Sequence, residues 1–301
     1  MPARQHSIAV TASTFTGDLR STALASRKLG FEGLVFDAFS PALDLTQLSQ
    51  SGRREVRQIL SSFNQHFVAL QVDLGVKGLG IGADIDRILS QMDRVLETAA
   101  GFAAGLVCIE LGLLPEPSIA PPPRPKINPA QAGLILIPDL DEIKVQVAQP
   151  ASPEPAPALV AQVQDALTEV GRRADRYSVM IAFRTALSSF NALHDALGRA
   201  NCPWFGIDLD PSLMLSDTFS DDDIFSILGG QVRHVRIRDA LRGGSGRTKA
   251  AAIGRGDVVW DKFLADLEGA GYRGWLTVDP VELPDRIAAA QGARAHLANM
   301  I

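Results

Sequence analysis

A single (β/α)8 barrel is the fold that this sequence predicts, and three observations support it. Short apolar runs recur at roughly 25–40 residue spacings, with segments of helical periodicity between them. The apolar residues are mostly Ala, Leu, Val and Ile, which suits helices packed on a buried parallel sheet. No Gly-x-Gly-x-x-Gly turn follows the first apolar run, which disfavours an open doubly wound sheet. We therefore predict one barrel domain over residues 1–301.

Eight short apolar segments are predicted as strands because each is followed by a turn residue or by a helical pattern. In chain order they are 7–13, 34–38, 68–74, 106–111, 179–184, 205–209, 234–238 and 276–278. Eight helices are predicted from apolar residues that recur at helical spacing. They are 18–29, 49–63, 84–102, 158–174, 190–200, 221–228, 260–267 and 284–300.

The clearest helix–strand unit lies between Gly254 and Pro280. Asp257 is expected to cap its helix by accepting from the free N–H groups of the first turn. Gly269 and Gly271 provide the stop. Asp279 follows the last strand and leaves a carboxylate at its C-terminal end, where barrels of this class hold their active sites.

Residues 115–157 interrupt the alternation after the fourth predicted strand. Proline is concentrated there, and Pro-rich chain favours extended polyproline geometry over helix. An apolar stretch, GLILIPDLDEIKVQVAQP, lies inside it. We expect an insertion within the barrel domain that has no catalytic part; a lid over the strand ends is the alternative.

Composition excludes several classes of function. The formal net charge of −5 argues against a nucleic-acid partner or an anionic membrane surface. No uninterrupted apolar stretch approaches the ~18 residues of a membrane span, and the first residues lack a signal-peptide core. The two cysteines form no disulfide framework, and Cys108 is expected to be a small buried hydrophobe. We expect a cytoplasmic protein. Because barrels of this type often pair, a homodimer is the expected assembly.

Charged residues stand at the C-terminal ends of seven predicted strands. They are Asp37, Asp73, Glu110, Arg184, Asp208, Asp210, His234, Arg236, Arg238 and Asp279. Residues two apart on a strand share one face, and charged groups are seldom buried unless they are paired. The pattern indicates either a network of structural ion pairs or a site for a polar ligand, and we favour the ligand site.

The loop after the seventh predicted strand is rich in glycine and in basic residues, namely Arg242, Arg247, Lys249 and Arg255. Backbone N–H groups and guanidinium forks of this kind can hold a phosphate or a carboxylate; a solvated loop is the alternative. Four acids at three strand ends could bind a divalent metal, but the interleaved Arg184 and Arg236 disfavour it; these acids are Glu110, Asp208, Asp210 and Asp279. No Gly-x-Ser-x-Gly or Cys-x-x-Cys element supports a nucleophilic triad or a zinc ribbon.

The segments GFEGLVFD, FGIDLDPSL, HVRIRDA and GRGDVVWDKFLADLEGAGYRGWLTVD resemble the xylose isomerase-like TIM barrels. This superfamily, of the AP endonuclease family 2 type, contains sugar and sugar-phosphate isomerases and epimerases, inosose dehydratases and endonuclease IV-type DNA-repair enzymes. The resemblance covers nearly the whole chain outside the insertion. It is most specific in the last third.

The resemblance implies a divalent metal held by Glu, Asp, His and Glu from strands five to eight. Matched residue by residue, these positions fall at Phe183, Asp210, Arg236 and Asp279. One ligand is retained, one is shortened and two are lost, and the histidine of D-P-x-H is Leu213. The metal site is therefore expected to be degenerate, with Arg236 placed to pair with Asp210. The histidine cluster of the DNA-repair members has no counterpart.

The sequence thus predicts a barrel that acts on or binds a small sugar, polyol or sugar acid without a metal cofactor. For catalysis, Glu110 or Asp279 would be the base, and Arg184 and Arg236 would stabilise an enolate oxygen. The predicted ligand-binding residues are Asp37, Asp73, Asp208, Asp210, His234, Arg238 and Arg255. Two alternatives stay open: a non-catalytic barrel that binds a ligand or a protein, and a metal-dependent isomerase with a rearranged acidic site.

Overall fold

The structure of the protein is a computed structural model that describes residues 6–80, 82–117, 157–216, 221–243 and 247–300. Of residues 221–223 only the backbone is described. Most of the predicted insertion, and with it the hypothesis of a lid, lies outside the described residues.

Eight parallel strands form a closed barrel in the order β1-β12-β9-β8-β7-β6-β5-β2. These strands are Ile8–Thr11 (β1), Gly33–Asp37 (β2), His66–Asp73 (β5), Leu106–Glu110 (β6), Met180–Arg184 (β7), Phe205–Leu209 (β8), Val232–Ile237 (β9) and Leu276–Val278 (β12). Each coincides with a predicted strand, and no boundary differs by more than two residues. The predicted (β/α)8 barrel is confirmed.

Helices follow the strands and cover the outside of the barrel. They are Leu19–Lys28 (α1), Gln50–Ser62 (α2), Ile85–Phe102 (α3), Pro157–Tyr177 (α4), Phe190–Ala200 (α5), Pro211–Met214 (α6), Asp221–Leu228 (α7), Trp260–Gly269 (α8) and Arg286–Ala298 (α9). All eight predicted helices are present, and α6 is an additional short helix. Within the described residues, no helix combines the length and apolar character that crossing a bilayer requires.

Two small antiparallel hairpins extend from the C-terminal end of the barrel and were not predicted. One pairs Phe39–Ser40 (β3) with Leu43–Asp44 (β4), and the other pairs Asp239–Arg242 (β10) with Thr248–Ala251 (β11). The second hairpin is the Gly- and Arg-rich loop of the sequence. It therefore brings regular structure to the edge of the predicted site.

The N-cap prediction for Asp257 was wrong. Helix α8 begins after Val259, whose side chain makes no capping bond. Asp257 Oδ2 instead accepts from the backbone N–H of Arg242 at 2.6 Å, bracing the β10–β11 hairpin. Sequence spacing alone cannot separate these roles, because a carboxylate just before a helix can accept from any nearby N–H.

Alternation along the strands divides the core into two parts. Outward side chains such as Ile109, Phe183 and Val235 pack with the helices in one large apolar cluster. Inside the barrel a smaller cluster is built mainly from small residues: Ala9, Val35, Val68, Ala69, Cys108 and Ala182. Because the next inward positions toward the C-terminal ends are polar, the barrel interior changes character from apolar to charged along its axis.

Candidate active site at the C-terminal mouth of the barrel

Five inward-facing polar residues of three neighbouring strands form what we call the central cluster: Asp208, His234, Arg236, Thr277 and Asp279. All five are buried. His234 Nδ1 lies 2.6 Å from Asp208 Oδ1, and His234 Nε2 lies 2.7 Å from the Thr277 hydroxyl. Since a carboxylate only accepts, Nδ1 carries the proton, and both ring nitrogens are engaged.

The guanidinium of Arg236 bridges the two carboxylates of the central cluster. Its Nε and Nη2 donate to Asp208 Oδ2 at 3.2 and 2.9 Å, and its Nη1 donates to Asp279 Oδ2 at 2.7 Å. Nη1 also donates to Gln71 Oε1 at 2.9 Å. The predicted pair between Arg236 and Asp210 was wrong. The guanidinium lies at the same level along the barrel axis as Asp208, two residues earlier, and pairs with it instead.

Charge pairing outweighs burial in setting the protonation state of these groups. Burial acts to raise the pKa of Asp279, but Arg236 and Arg238 hold it below its usual range. The same opposition, with Arg236 and His234 as the partners, lowers the pKa of Asp208. Burial acts to lower the pKa of Arg236, yet the two acids raise it well above its ordinary value. Asp208, Asp279 and Arg236 are therefore held in their ionised forms by one another.

A second group of charges, the lateral cluster, lies beside the first and comprises Glu110, Arg184, Asp210, Arg238 and Glu282. Arg184 lies 2.9 Å from both Glu110 Oε2 and Asp210 Oδ2. Arg238 contacts Glu282 closely through Nη2 and lies 3.5 Å from Asp210 and 3.8 Å from Asp279. The side chain of Glu282 is 58% exposed, whereas that of Asp210 is fully buried.

The two candidate bases differ in their protonation behaviour. Burial raises the pKa of Glu110, and Arg184 together with the N–H of Ala186 only partly offsets it. Ala186 N–H donates to Glu110 Oε1 at 2.9 Å. Asp279 has a lowered pKa and two arginine neighbours. Glu110 is therefore the better suited of the two to take up a proton.

An open cavity of about 390 Å³ adjoins the lateral cluster. Its walls come from α6, from the β10–β11 hairpin, from the end of β12 and from α9. The polar lining includes Ser212, Arg238, Arg247, Thr248, Asp279 and Glu282, and Leu213, Ile253 and Ala293 supply apolar surface. Mixed polar and apolar walls of this size are typical of a small-molecule site.

Asp239 fixes the wall that carries the hairpin. Its carboxylate accepts from the backbone N–H groups of Gly254 at 2.9 Å, Gly256 at 3.1 Å and Val258 at 3.3 Å. It also accepts from the indole N–H of Trp260 at 3.1 Å. A Cβ at residue 256 would lie 2.1 Å from Asp239 Oδ1, so only glycine permits this approach. The Gly254–Trp260 segment is thus wrapped around one buried carboxylate.

The structure gathers most, but not all, of the predicted site residues. Asp37 accepts from Gln71 Nε2 at 2.6 Å at the edge of the central cluster. Asp73 accepts from the N–H of Gly75 at 2.7 Å in an exposed turn, and Arg255 is exposed and does not line the cavity. Phe183, matched to a metal position by resemblance, packs edge-to-face on Phe205 outside the barrel. The inward residue at that strand end is Arg184.

Sequence reasoning missed Gln71, Thr277 and Glu282. Gln71 and Thr277 each stand two residues before a predicted site acid, Asp73 and Asp279, so strand alternation already placed them on the inner face. Glu282 follows the last strand by four residues within a turn, and nothing in the sequence marks it.

The donor atoms at the implied metal position do not fit a divalent ion. Phe183 offers none, and Arg236 places a cation there that already holds Asp279. The retained acid, Asp210, accepts from the Ser212 N–H and hydroxyl through Oδ1 and pairs with Arg184 through Oδ2. A metal would have to displace guanidinium groups from the carboxylates it needs.

A deeper group, Cys108, Asp208 and His234, has ligand atoms within 4.8 Å of one another. His234 has no free ring nitrogen, and the second oxygen of Asp208 is held by Arg236. This group also fits an ion poorly.

Comparisons with known proteins agree with this architecture. A family model described as xylose isomerase-like TIM barrel matches residues 23–300. The fold is similar to that of a xylose isomerase domain protein from Planctomyces limnophilus, with a TM-score of 0.68, 17% identity and coverage of 98% of this chain and 95% of that chain. No curated protein sequence matches the chain.

Two further solved structures have the same fold. The IolI protein, with a bound zinc atom, gives a TM-score of 0.70 at 16% identity and covers 98% of this chain and 97% of its own. D-psicose 3-epimerase with D-tagatose, from Clostridium cellulolyticum H10, gives a TM-score of 0.68 at 12% identity, with 98% of both chains covered.

Proposed function

Because this chain belongs to the xylose isomerase-like TIM-barrel family, we propose that it binds a small polyhydroxylated ligand at its C-terminal mouth without a divalent metal. The ligand class is a sugar, polyol or sugar acid. The solved epimerase that carries D-tagatose supports this class, since its fold covers nearly the whole of this chain.

The observation that carries the proposal is the cavity beside the lateral cluster. It lies at the strand ends where barrels of this class place their sites. Its serine, threonine and arginine side chains suit hydroxyl groups, and Leu213 and the alanines of α9 suit the C–H faces of a sugar. At about 390 Å³ the cavity has room for a small sugar.

Arg236 has the electrostatic role in this site that a divalent ion has in a metal site. A divalent ion in a site of this type binds converging carboxylates, and the guanidinium of Arg236 pairs with both Asp208 and Asp279. Its donors are nevertheless occupied by those acids and by Gln71. Arg236 therefore supports the site and leaves ligand contact to Arg238, whose pairings with Asp210 and Asp279 are longer.

Proton transfer next to a carbonyl is the second candidate function, and the raised pKa of Glu110 favours it. In that reaction Glu110 takes a proton from carbon, and Arg184, 2.9 Å away, stabilises the charge that develops on oxygen. Asp279 was predicted as the base and Arg236 as the group that stabilises the enolate oxygen. Because these two side chains pair with each other, they are less suited to those roles. A metal-dependent reaction through Glu110, Asp208, Asp210 and Asp279 would require breaking these pairs.

A ligand screen in the presence of a chelator tests the proposal. We expect thermal-shift and calorimetric hits among sugars, polyols or sugar acids that persist in excess EDTA and survive deletion of residues 118–156. Hits that vanish with EDTA and return with Mn²⁺ or Zn²⁺ would overturn the metal-free site. A screen without hits, combined with insertion-dependent capture of another protein, would favour the non-catalytic binding module.

A further inference from the structure

Arg238 holds an exposed carboxylate of its own chain at the edge of the cavity. Its side chain is only 11% exposed, while that of its partner Glu282 is 58% exposed. Both residues line the cavity. A mostly covered cation therefore lines the cavity, and its close partner is a solvent-accessible acid.

The contacts on the other side of Arg238 are too long to saturate it. Asp210 lies 3.5 Å away and Asp279 lies 3.8 Å away, and each of these acids has a closer arginine, Arg184 or Arg236. Glu282 is thus the one close partner of Arg238 among the described residues. If Glu282 turned away, the guanidinium would keep its position but lack a close acceptor.

Glu282 can leave without disturbing the backbone that carries it. Its turn is held by the N–H of Leu283, which donates to the carbonyl of Pro280 at 2.9 Å. The N–H of Val281 donates to Asp279 Oδ1 at 3.4 Å. Neither bond involves the Glu282 side chain. Rotation of that side chain into solvent therefore breaks the half-exposed ion pair with Arg238 and no other bond described above, so its free-energy cost is small.

We propose that the cavity takes a sugar acid, whose carboxylate replaces that of Glu282 on Arg238. This inference rests on the proposed function and narrows its ligand class. Arg247 supplies a second cation to the lining of the cavity, and Ser212 and Thr248 add polar residues to it.

Charge balance selects a carboxylate over a phosphate. Arg184, Arg236 and Arg238 pair with five carboxylates, so the mouth is already acidic. Exchange of the Glu282 carboxylate for that of a ligand leaves Arg238 with one close carboxylate, as before, and moves the charge of Glu282 into solvent. A sugar phosphate would add a charge of about −2 where acids are in excess. A neutral sugar would leave the Arg238–Glu282 pair in place.

Titration calorimetry with matched ligands tests this exchange. The probes are D-gluconate and D-glucuronate, the neutral sorbitol and D-glucose, and glucose 6-phosphate, each titrated into the full-length protein with EDTA. We expect the acids to bind at least about tenfold tighter than their neutral counterparts, as a charge-assisted pair to a buried arginine predicts.

Removal of the Glu282 carboxylate, which competes with the ligand for Arg238, tests the exchange more directly. The Glu282→Gln variant should bind the acids about threefold to fivefold tighter, because a half-exposed pair no longer competes. Its control is Glu97→Gln, which removes an equally exposed carboxylate (60%) paired with Arg53 on the outside of the barrel. Arg238→Lys keeps the charge but loses the planar fork, and should weaken acid binding about tenfold. Its control is Arg199→Lys on α5.

Three outcomes would overturn this inference without overturning the proposed function. Neutral ligands that bind as tightly as the acids, or acid binding that is unchanged or weaker in Glu282→Gln, would overturn the exchange while the carbohydrate site stands. Tighter binding of the phosphate would also overturn it. If no probe and no other sugar binds, the proposed function fails as well. Circular dichroism confirms that Arg238→Lys is folded before its affinity is interpreted.

Discussion

The central and lateral clusters contain the same kinds of side chain but differ in how completely they are paired. In the central cluster every charge is buried and has a partner within 2.6–3.2 Å. In the lateral cluster Arg238 has two long pairings and one close pairing to an exposed acid. Charged groups of the first kind hold a structure together, whereas those of the second kind can exchange partners. Arg238 and Glu282 of the lateral cluster line the cavity, and from the central cluster Asp279 lines it as well.

The largest effect should come from breaking the central cluster. Arg236→Met leaves Asp208 and Asp279 buried without their cation, and removal of one partner from a buried pair costs about 3–5 kcal/mol. Urea denaturation at pH 7 measures this change in the free energy of unfolding. The exposed pair removed by Arg199→Gln is the control and should cost no more than about 0.5 kcal/mol. A cost below about 1 kcal/mol for Arg236→Met would show that the central pairs are not structural.

The two clusters should also respond to pH in opposite directions. The folded-state pKa of Asp279 is lowered, so its contribution is present above the unfolded pKa and is lost as pH falls below it. The stability difference between wild type and Asp279→Asn should therefore shrink as pH falls from 6 to 3.

The pKa of Glu110 is raised, so the contribution of its protonated form is fully present below the unfolded pKa and is lost as pH rises through the folded pKa. Relative to Glu110→Gln, the wild type should thus gain stability as pH falls over the same range. The measurement is the free energy of unfolding of each variant, relative to wild type, as a function of pH. If the two differences change with pH in the same direction, the opposite pKa shifts of Asp279 and Glu110 are contradicted.

The smallest stability effect is expected at the cavity. Glu282→Gln removes a half-exposed pair and should change the free energy of unfolding by no more than about 1 kcal/mol. The same urea series measures it, with Glu97→Gln as the matched control. A loss as large as that of Arg236→Met would mean that Glu282 is part of the structural network and is not free to exchange.

The fold could be predicted because its signals are local and repeated. Each strand is a short apolar run before a helical stripe, and eight such units leave few other architectures. The unit from Gly254 to Pro280 shows the limit of this reasoning. Its helix and strand were predicted correctly, but its loop is organised by Asp239, fifteen residues before Gly254, through four hydrogen bonds. No local pattern reveals such a distant acceptor.

The sequence predicted which residues lie at the site, but it did not predict which of them pair with each other. Alternation placed Asp208, Asp210, Arg236 and Asp279 in the mouth, but it could not tell which acid Arg236 would meet. That choice depends on how far each strand extends along the barrel axis, which is set by register between strands. The roles of the site residues, the absence of nucleic-acid partners, the cytoplasmic location and the homodimer stay predictions.

Metal content is the measurement that tests the central claim most directly. The wild-type protein is dialysed against Mn²⁺, Zn²⁺ and Mg²⁺, passed through a desalting column and analysed for metal per folded chain. We predict far less than one ion per chain, because Arg236 already pairs with carboxylates that a metal would need. One tightly held ion per chain, lost in Asp210→Asn and Asp279→Asn, would contradict the account.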